Sequence, residues 1–289
     1  MTSPFALKLV LSFVVGGLWI TAGVALAERR GSKAGGLVLG FPSTVFVAIV
    51  FIGWTQSPLA AAMATNVIPA VHGINALYVL VTLSLIGRRF WAAWAAGLAV
   101  WGGCSSLLVA LKFDNFWTGV LIYAVLLAFS YWRIGRAFPA GSGQRRGTAA
   151  GPLLVAARGV LGGAVIALAV ILAKVGGPLI GGVFAIFPAV FTGALLATAL
   201  SHGAGFSAAV MRSTLLGGMS CVVFAAAVRV SFVPLGLAYG TLVSALAALS
   251  STLLIRALMM RGTGGKPGKI GCPVPDSPRM HPGKNPSDF

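Results

Sequence analysis

The chain has 289 residues, of which 58% are hydrophobic and only 9% are charged, with 21 basic and 4 acidic side chains. A soluble domain carries about 25% charged residues, so this composition excludes a soluble globular protein and indicates that lipid surrounds most of the chain. The basic residues lie between apolar runs, which indicates membrane orientation rather than nucleic-acid binding. We therefore expect the lipid bilayer as a partner and no nucleic acid.

Apolar runs of membrane-spanning length follow one another along the chain. A bilayer core of about 30 Å needs roughly 20 apolar residues per helix, and an open structure other than a helix leaves its backbone unpaired in hydrocarbon. Nine runs approach this length: 6–27, 35–54, 60–87, 90–111, 116–132, 153–173, 178–200, 206–228 and 233–256. The sequence therefore predicts an all-α integral membrane protein of about nine transmembrane helices, with the longest runs tilted or bent.

The basic residues are distributed unevenly between the two sides that nine spans define. One side receives Arg29, Arg30, Lys33, Arg88, Arg89, Arg133, Arg136, Arg145, Arg146, Arg158, Arg212, Arg256, Arg261, Lys266, Lys269, Arg279 and Lys284. The other side receives Lys8, Lys112, Lys174 and Arg229. Because cytoplasmic loops carry the excess of Lys and Arg, the N-terminus is expected outside and the C-terminus in the cytoplasm.

The first run leaves an alternative open. It ends in Ala25-Leu26-Ala27, which is typical of the cleavage site of a secretory signal peptide. Two features favour a retained span. Its basic cluster follows the apolar run instead of preceding it, and the run has a counterpart later in the chain.

That counterpart belongs to an internal repeat. Moving the sequence by 146 residues places Val14-Val15-Gly16-Gly17 on Val160-Leu161-Gly162-Gly163, and Phe41-Pro42 on Phe187-Pro188, without a gap. Helices rich in Gly and Ala match easily by chance, but matching residues that run through two helices and their loop favour a true repeat. Because an odd number of crossings separates the two copies, they enter the membrane from opposite faces. Such inverted repeats are common among secondary transporters.

The repeat divides the chain into four parts. Residues 1–111 form the first four-helix repeat, and 112–152 form a linker helix with a basic cytoplasmic loop. Residues 153–259 form the second four-helix repeat, and the Pro- and Gly-rich segment 260–289 is expected to be a disordered cytoplasmic tail.

Two prolines interrupt apolar runs at matching positions of the repeats. Pro42 and Pro188 cannot donate a backbone hydrogen bond, so each is expected to free a carbonyl four residues earlier, that of Val38 in the first repeat and that of Phe184 in the second. Free carbonyls at membrane depth require protein contacts or a watery cavity. We expect both breaks, including Phe41 and Phe187, to flank a binding site between the repeats; the alternative is that both prolines only kink their helices.

Polar side chains inside the spans complete the candidate site. His72 is either a hydrogen-bonded structural histidine or a group that contacts solute, and Asn66 and Asn75 lie on the same run. Arg212 either contacts an anion or extends to the lipid headgroups. The predicted substrate-binding residues are Phe41, Pro42, Asn66, His72, Phe187, Pro188, Arg212, Ser213 and Thr214.

The sequence offers little support for catalysis. The four acids, Glu28, Asp114, Asp276 and Asp288, lie in loops or in the tail, which weighs against a proton relay within the membrane. The cysteines Cys104, Cys221 and Cys272 are scattered and form no CxxC pair. We expect no enzymatic activity, no catalytic residue, no metal and no cofactor.

Two segments carry a resemblance to a known family. The stretch "GGLVLGFPSTVFVA" from Gly35 and the stretch "MRSTLLGGMS" from Met211 resemble motifs of small GlpM-like inner-membrane proteins. The chain resembles two such four-helix modules fused in tandem, although Ala189 replaces the Ser or Thr that follows the proline in the motif. The resemblance implies a multi-pass protein of the cell's inner membrane and says nothing firm about activity.

Two classes of function remain open from the sequence. The first is a secondary transporter or permease for a small polar or anionic solute, with its site at the broken helices. The second is a non-transporting membrane factor that binds lipid or assists an envelope assembly partner. The interrupted, repeated helices favour the first class. The pattern specifies neither the solute, the coupling ion, the direction of transport nor the oligomeric state.

Overall fold

A computed structural model describes residues 3–29, 42–87, 89–138 and 152–262. All the secondary structure in these residues is helical. The helices are α1 (Ser3–Arg29), α2 (Ser43–Thr55), α3 (Pro58–Ala64), α4 (Ile68–Leu85), α5 (Phe90–Ala110), α6 (Phe116–Ala137), α7 (Pro152–Gly176), α8 (Pro178–Ala185), α9 (Ala189–Gly217) and α10 (Met219–Gly262), with a 3-10 turn (Thr65–Val67) between α3 and α4. The expectation of an all-helical protein is confirmed for this part of the chain.

Most of these helices are suited to a bilayer. Within the described ranges, seven helical segments are long and apolar enough to cross a membrane, and α2 is a shorter apolar helix. Large apolar side chains such as Trp117, Leu121 and Val125 are exposed along one face of α6, as expected of a surface that contacts lipid. The chain is therefore a multi-pass membrane protein.

The helices α1 and α7 pack against each other along their length in opposite directions. A methyl group added to Gly16 would overlap the side chain of Ile166, and one added to Gly162 would overlap Ile20. Near the start of α1, the ring of Phe5 lies 3.6 Å from Nζ of Lys174, which belongs to the last turn of α7. Small residues therefore allow the close approach of two antiparallel helices, as is usual in membranes.

The core lies around α2, which packs against α1, α3, α7, α8 and α10. Although α2 has only 13 residues, eight of them are buried. Ile49 and Ile52 of α2 are fully buried, as are Phe224 and Phe232 of α10. A short helix enclosed on all sides is stabilised by this packing rather than by its own length.

The run predicted at 60–87 is one bent segment made of α3, the 3-10 turn and α4. Ser57 caps α3 by accepting a hydrogen bond from the N–H of Ala60 at 3.0 Å, and Pro58 occupies the first turn. Such a start is typical of a helix that follows a sharp turn. The helix α6, predicted to be the linker, packs closely against α4, where Gly73 faces the backbone of Tyr123.

Several sharp breaks interrupt the helices in the second half of the chain, besides the one at Gly177 between α7 and α8. α8 ends at Ala185 and α9 begins at Ala189, so Pro188 stands between two helices of one apolar segment. α9 changes direction at Gly203, with φ 81° and ψ 176°, and α10 does so at Gly236, with φ 73° and ψ 175°. Both positive φ values favour glycine, because a Cβ makes them costly.

Candidate functional site between the broken helices

The helices α2 and α9 begin in the same way, each directly after a proline. Pro42 has φ −70° and ψ 49°, and Pro188 has φ −75° and ψ 36°. The carbonyl of Pro42 accepts from the N–H of Phe46 at 2.7 Å, and the carbonyl of Pro188 accepts from the N–H of Thr192 at 2.8 Å. No side chain caps either helix, so the N–H groups of both first turns lack partners within their own helix.

A cavity of about 30 Å³ lies where these two helix starts meet. Its walls are Pro42, Ser43, Thr44, Val45, His72, Asn75, Ile186, Phe187, Val190, Phe191 and Cys221. This volume holds one or two water molecules, since about 10–15 Å³ of free space is enough for one. The structure thus brings three of the predicted binding residues, Pro42, His72 and Phe187, to one cavity, with Pro188 buried next to Phe187.

His72 is an ionisable side chain that lines this cavity. It is 4% exposed, and neither of its ring nitrogens has a hydrogen-bond partner among the described residues. Its ring lies 5.4 Å from the ring of Tyr123 and 6.2 Å from that of Phe191, measured between centroids. On the remaining side it contacts Gly218, where an added methyl group would overlap Nε2. His72 is thus held in place by shape, and the hydrogen-bonding capacity of its ring is unused by the described residues.

Asn75 lines the cavity one turn after His72 and reaches across to the other half of the chain. Its Nδ2 donates to the carbonyl of Ile186 at 2.9 Å, while Oδ1 has no partner within the described ranges. The carbonyl of Phe184, predicted to be free, instead accepts from the N–H of Phe187 at 3.1 Å. That expectation was wrong because the backbone tightens into a turn before Pro188 and moves the open carbonyl to Ile186.

Further contacts fix the start of α9 against the first half. The hydroxyl groups of Tyr78 and Thr192 lie 2.8 Å apart, and the indole Nε1 of Trp94 donates to Thr192 at 3.3 Å. The ring of Trp101 packs edge-on against Phe187 with centroids 5.0 Å apart. Residues of α4 and α5 therefore hold both sides of the break at Pro188.

Four predicted residues, Asn66, Arg212, Ser213 and Thr214, do not line the cavity. The amide oxygen of Asn66 accepts a hydrogen bond from the guanidinium of Arg229. The hydroxyls of Ser213 and Thr214 each donate to the carbonyl of Val210 at 2.9 Å, within their own helix. The remaining predicted residue, Phe41, lies outside the described residues.

Arg212 packs against the linker helix rather than against the cavity. Its guanidinium carbon lies 4.4 Å from the centre of the Tyr131 ring, which is a cation–π distance. Arg229 makes a similar contact with the ring of Phe116 at 5.7 Å. Neither stacking partner carries a charge, so the aromatic residues of α6 hold both arginines without neutralising them.

The fold and the site define an all-helical, multi-pass membrane protein with a small buried cavity between two interrupted helices. A family described as a protein of unknown function, DUF3147, matches residues 155–262. The matched segment begins in the first turn of α7 and ends at the last residue of α10. No curated protein and no solved structure matches the chain.

Proposed function

We propose that this protein is a permease for a small polar or anionic solute, and that the cavity between α2 and α9 is its binding site. One observation carries the proposal: two helices from different halves of the chain start at prolines of the same geometry and meet at one cavity. His72 and Asn75 line it, and both carry buried polar groups without partners in the described residues. Paired helix breaks of this kind mark the solute sites of secondary transporters.

The positions of the helix breaks support two related halves. An offset of 146 residues relates Pro42 to Pro188, which precede α2 and α9. The same offset relates Ser57, which precedes α3, to Gly203, where α9 breaks. Cavity residues are related in the same way, because Asn75 corresponds to Cys221, and both line it. A site built from corresponding residues lies on the symmetry axis that we propose.

The contact between α1 and α7 supports the inverted orientation. Gly16 meets Ile166, and the corresponding residue Gly162 meets Ile20, so the contact is reciprocal under the same offset. A reciprocal contact is the sign of a two-fold axis. Since the two helices are antiparallel, the axis is perpendicular to them, and for helices that cross a bilayer it lies in the membrane plane.

We propose nine crossings on this basis, with the N-terminus outside and the C-terminus in the cytoplasm. The 57-residue segment Gly203–Met259 would extend about 85 Å if straight, well beyond one bilayer core. Its break at Gly236 divides it into two crossings, and α2 is the described part of another. The family match over residues 155–262 fits a second module at 153–259, as does the resemblance to two fused GlpM-like proteins.

Transport would follow from relative motion of the two halves around the cavity. The bonds from Asn75 to Ile186 and from Tyr78 to Thr192 cross between the halves, so they must break or shift when one half rocks against the other. Among the described residues only a few such bonds hold the start of α9, which keeps the cost of opening moderate, since each contributes roughly 0.5–1.5 kcal/mol.

The alternative, a non-transporting membrane factor that binds lipid or assists an envelope assembly partner, is favoured by the size of the cavity. A space of about 30 Å³ does not admit a metabolite. In that case the polar groups at the break would be paired with ordered water and would serve the fold alone.

Flux measurements on proteoliposomes distinguish the two. Purified protein is reconstituted, and the permeation of urea, glycerol, ammonium chloride and, with valinomycin to carry the potassium, potassium nitrate is followed by light scattering. We expect flux of at least one solute above protein-free vesicles, and its reduction in His72→Gln. The control Leu121→Ala, on the lipid-facing side of α6, should retain it. Equal permeation in protein-containing and protein-free vesicles for every solute would favour the membrane-factor alternative.

A further inference from the structure

We propose that the solute is a small monovalent anion of about the size of chloride, and that Arg229 and Arg212 attract it to the cavity from the two faces of the membrane. This inference rests on the proposed permease function and narrows the class of solute. It is carried by the polarity of the cavity, by its size, and by the placement of the two arginines on either side of it.

The positive ends of two helices converge on the cavity. Its walls include Thr44 and Val45 from the first turn of α2, and Val190 and Phe191 from the first turn of α9. Helix N-termini carry partial positive charge and unpaired N–H groups, and they favour anions. Neither first turn contains an acidic residue that would cancel this effect.

His72 is an independent sign of a ligand at this position. It is buried to more than nine-tenths, lines the cavity, and has no hydrogen-bond partner for either ring nitrogen among the described residues. A neutral imidazole donates from one nitrogen, and a protonated one donates from both. Either form supplies a donor for an anion, while Oδ1 of Asn75 can accept from a water that accompanies the ion.

A cation would find a poor site here. No carboxylate is among the described residues that line the cavity. Asp114 is exposed in the turn between α5 and α6, and Glu28 belongs to the last turn of α1. The volume of about 30 Å³ fits a monatomic ion or one of a few atoms, because such ions are close in size to the one or two waters the space can hold.

The linker helix α6 arranges three side chains in a column. Phe116, Tyr123 and Tyr131 are seven and eight residues apart, so they lie within one stripe of the helix, about 10 and 12 Å apart along its axis. Phe116 contacts Arg229, Tyr123 contacts His72, and Tyr131 contacts Arg212. His72 therefore lies between the two arginines. The column from Phe116 to Tyr131 is roughly 22 Å long.

Both arginines keep their positive charge available. Arg229 is exposed and donates to the neutral amide of Asn66, and Arg212 is half-buried against a neutral ring. Charged side chains within membrane helices are costly and are typical of ion pathways. A positive charge at each end of the column raises the local concentration of anions near the cavity and disfavours cations.

The test uses the full-length protein in vesicles loaded with potassium chloride, with efflux started by valinomycin and followed by a chloride electrode. We expect chloride efflux well above that of protein-free vesicles.

Arg229→Gln and Arg212→Gln should each reduce the initial rate about tenfold, at the lower end of the effect of electrostatic focusing. Arg229→Lys and Arg212→Lys should retain most of it, because the charge is kept. The control is Arg136→Gln, which should not change the rate. It removes a guanidinium of α6 that stacks 4.2 Å from the ring of Trp132, an exposed residue of the same helix α6.

A second measurement covers variants that fail to fold. Replacing potassium gluconate with potassium chloride should raise the thermal unfolding temperature of the wild type in detergent, and His72→Leu should lose this increase. Permeation of urea, glycerol or ammonium without chloride efflux would leave the permease function standing and overturn the anion assignment. No permeation of any solute would overturn both. Equal loss of efflux in Arg136→Gln and Arg212→Gln would remove the role of the column.

Discussion

His72 of α4 lies against Gly218, the residue between α9 and α10, with Nε2 in the space that a side chain at position 218 would need. The two residues are separated by 146 positions, the offset that relates the proposed repeats. A residue that contacts its own counterpart lies beside the axis that relates them. The imidazole of His72 thus fills the space in which Gly218 has no side chain, and the cavity adjoins this contact.

The first prediction concerns this contact. Gly218→Ala should destabilise the protein by about 1–3 kcal/mol, because the added methyl group overlaps the imidazole in a packed interior. His72→Ala in the same chain should recover most of the loss, with a coupling free energy of about 0.5–3 kcal/mol in a double-mutant cycle. Reversible unfolding in mixed detergent micelles measures both quantities.

Gly102→Ala is the matched control, since a methyl group at Gly102 in α5 meets nothing within 4 Å. We expect it to leave stability unchanged or to raise it slightly, because Ala favours a helix more than Gly does. Additive losses in Gly218→Ala and His72→Ala would show that the two residues do not contact each other.

The sequence predicts where the helices break, but it does not predict which groups the polar side chains contact. Pro42 and Pro188 indicate their breaks because proline lacks a backbone donor whatever surrounds it. The sequence indicates His72 because it is the histidine deepest in an apolar run. It does not indicate Asn75, whose role depends on the carbonyl of Ile186, 111 residues away.

Arg212 and Asn66 also show what the sequence could not predict. Both belong to the predicted site, and neither lines the cavity. Both are polar residues inside apolar runs of the sequence, which is why the sequence predicts them as part of the site. Their partners are decided by Tyr131 of α6 and by Arg229, which itself stacks on Phe116 of that helix. Because α6 lies outside the proposed repeat, no comparison of the two halves could reveal which side chains it brings to each residue.

The second prediction concerns the reciprocal packing of α1 and α7. Gly16→Ala and Gly162→Ala should destabilise the protein by similar amounts, about 1–3 kcal/mol each, because each methyl group overlaps an isoleucine of the other helix. Ile166→Ala should rescue Gly16→Ala, and Ile20→Ala should rescue Gly162→Ala, as measured by unfolding in detergent. Rescue by the wrong isoleucine, or a loss in only one glycine variant, would contradict the reciprocal contact.

The third prediction concerns topology. Reporter fusions after Arg30, Arg89 and Arg146 should all report the cytoplasm, because the loops that carry these residues are rich in positive charge. A single cysteine at Lys112, in a chain without its native cysteines, should react with a membrane-impermeant maleimide added outside intact cells. Labelling only after the cells are opened, or an external reporter signal at any of the three fusions, would exclude the inverted arrangement.

The last prediction concerns the bond between Asn75 and the carbonyl of Ile186. In a continuous helix that carbonyl would accept from the N–H of Val190, but the break at Pro188 separates them, and the amide of Asn75 takes the place of the donor. Asn75→Leu keeps a similar volume and removes the donor, so a buried carbonyl is left unpaired.

We expect Asn75→Leu to lower the free energy of unfolding by about 1–3 kcal/mol, the cost of a buried group without a partner. Ser84→Ala is the control on the same helix. Within the described part of the chain its exposed hydroxyl bonds only to the carbonyl of Leu80 in its own helix, so its loss should stay within about 0.5 kcal/mol. If Asn75→Leu costs no more than Ser84→Ala, the amide does not hold the break in place, and the two halves must be joined at the cavity by the contacts of Tyr78 and Trp94 with Thr192 instead.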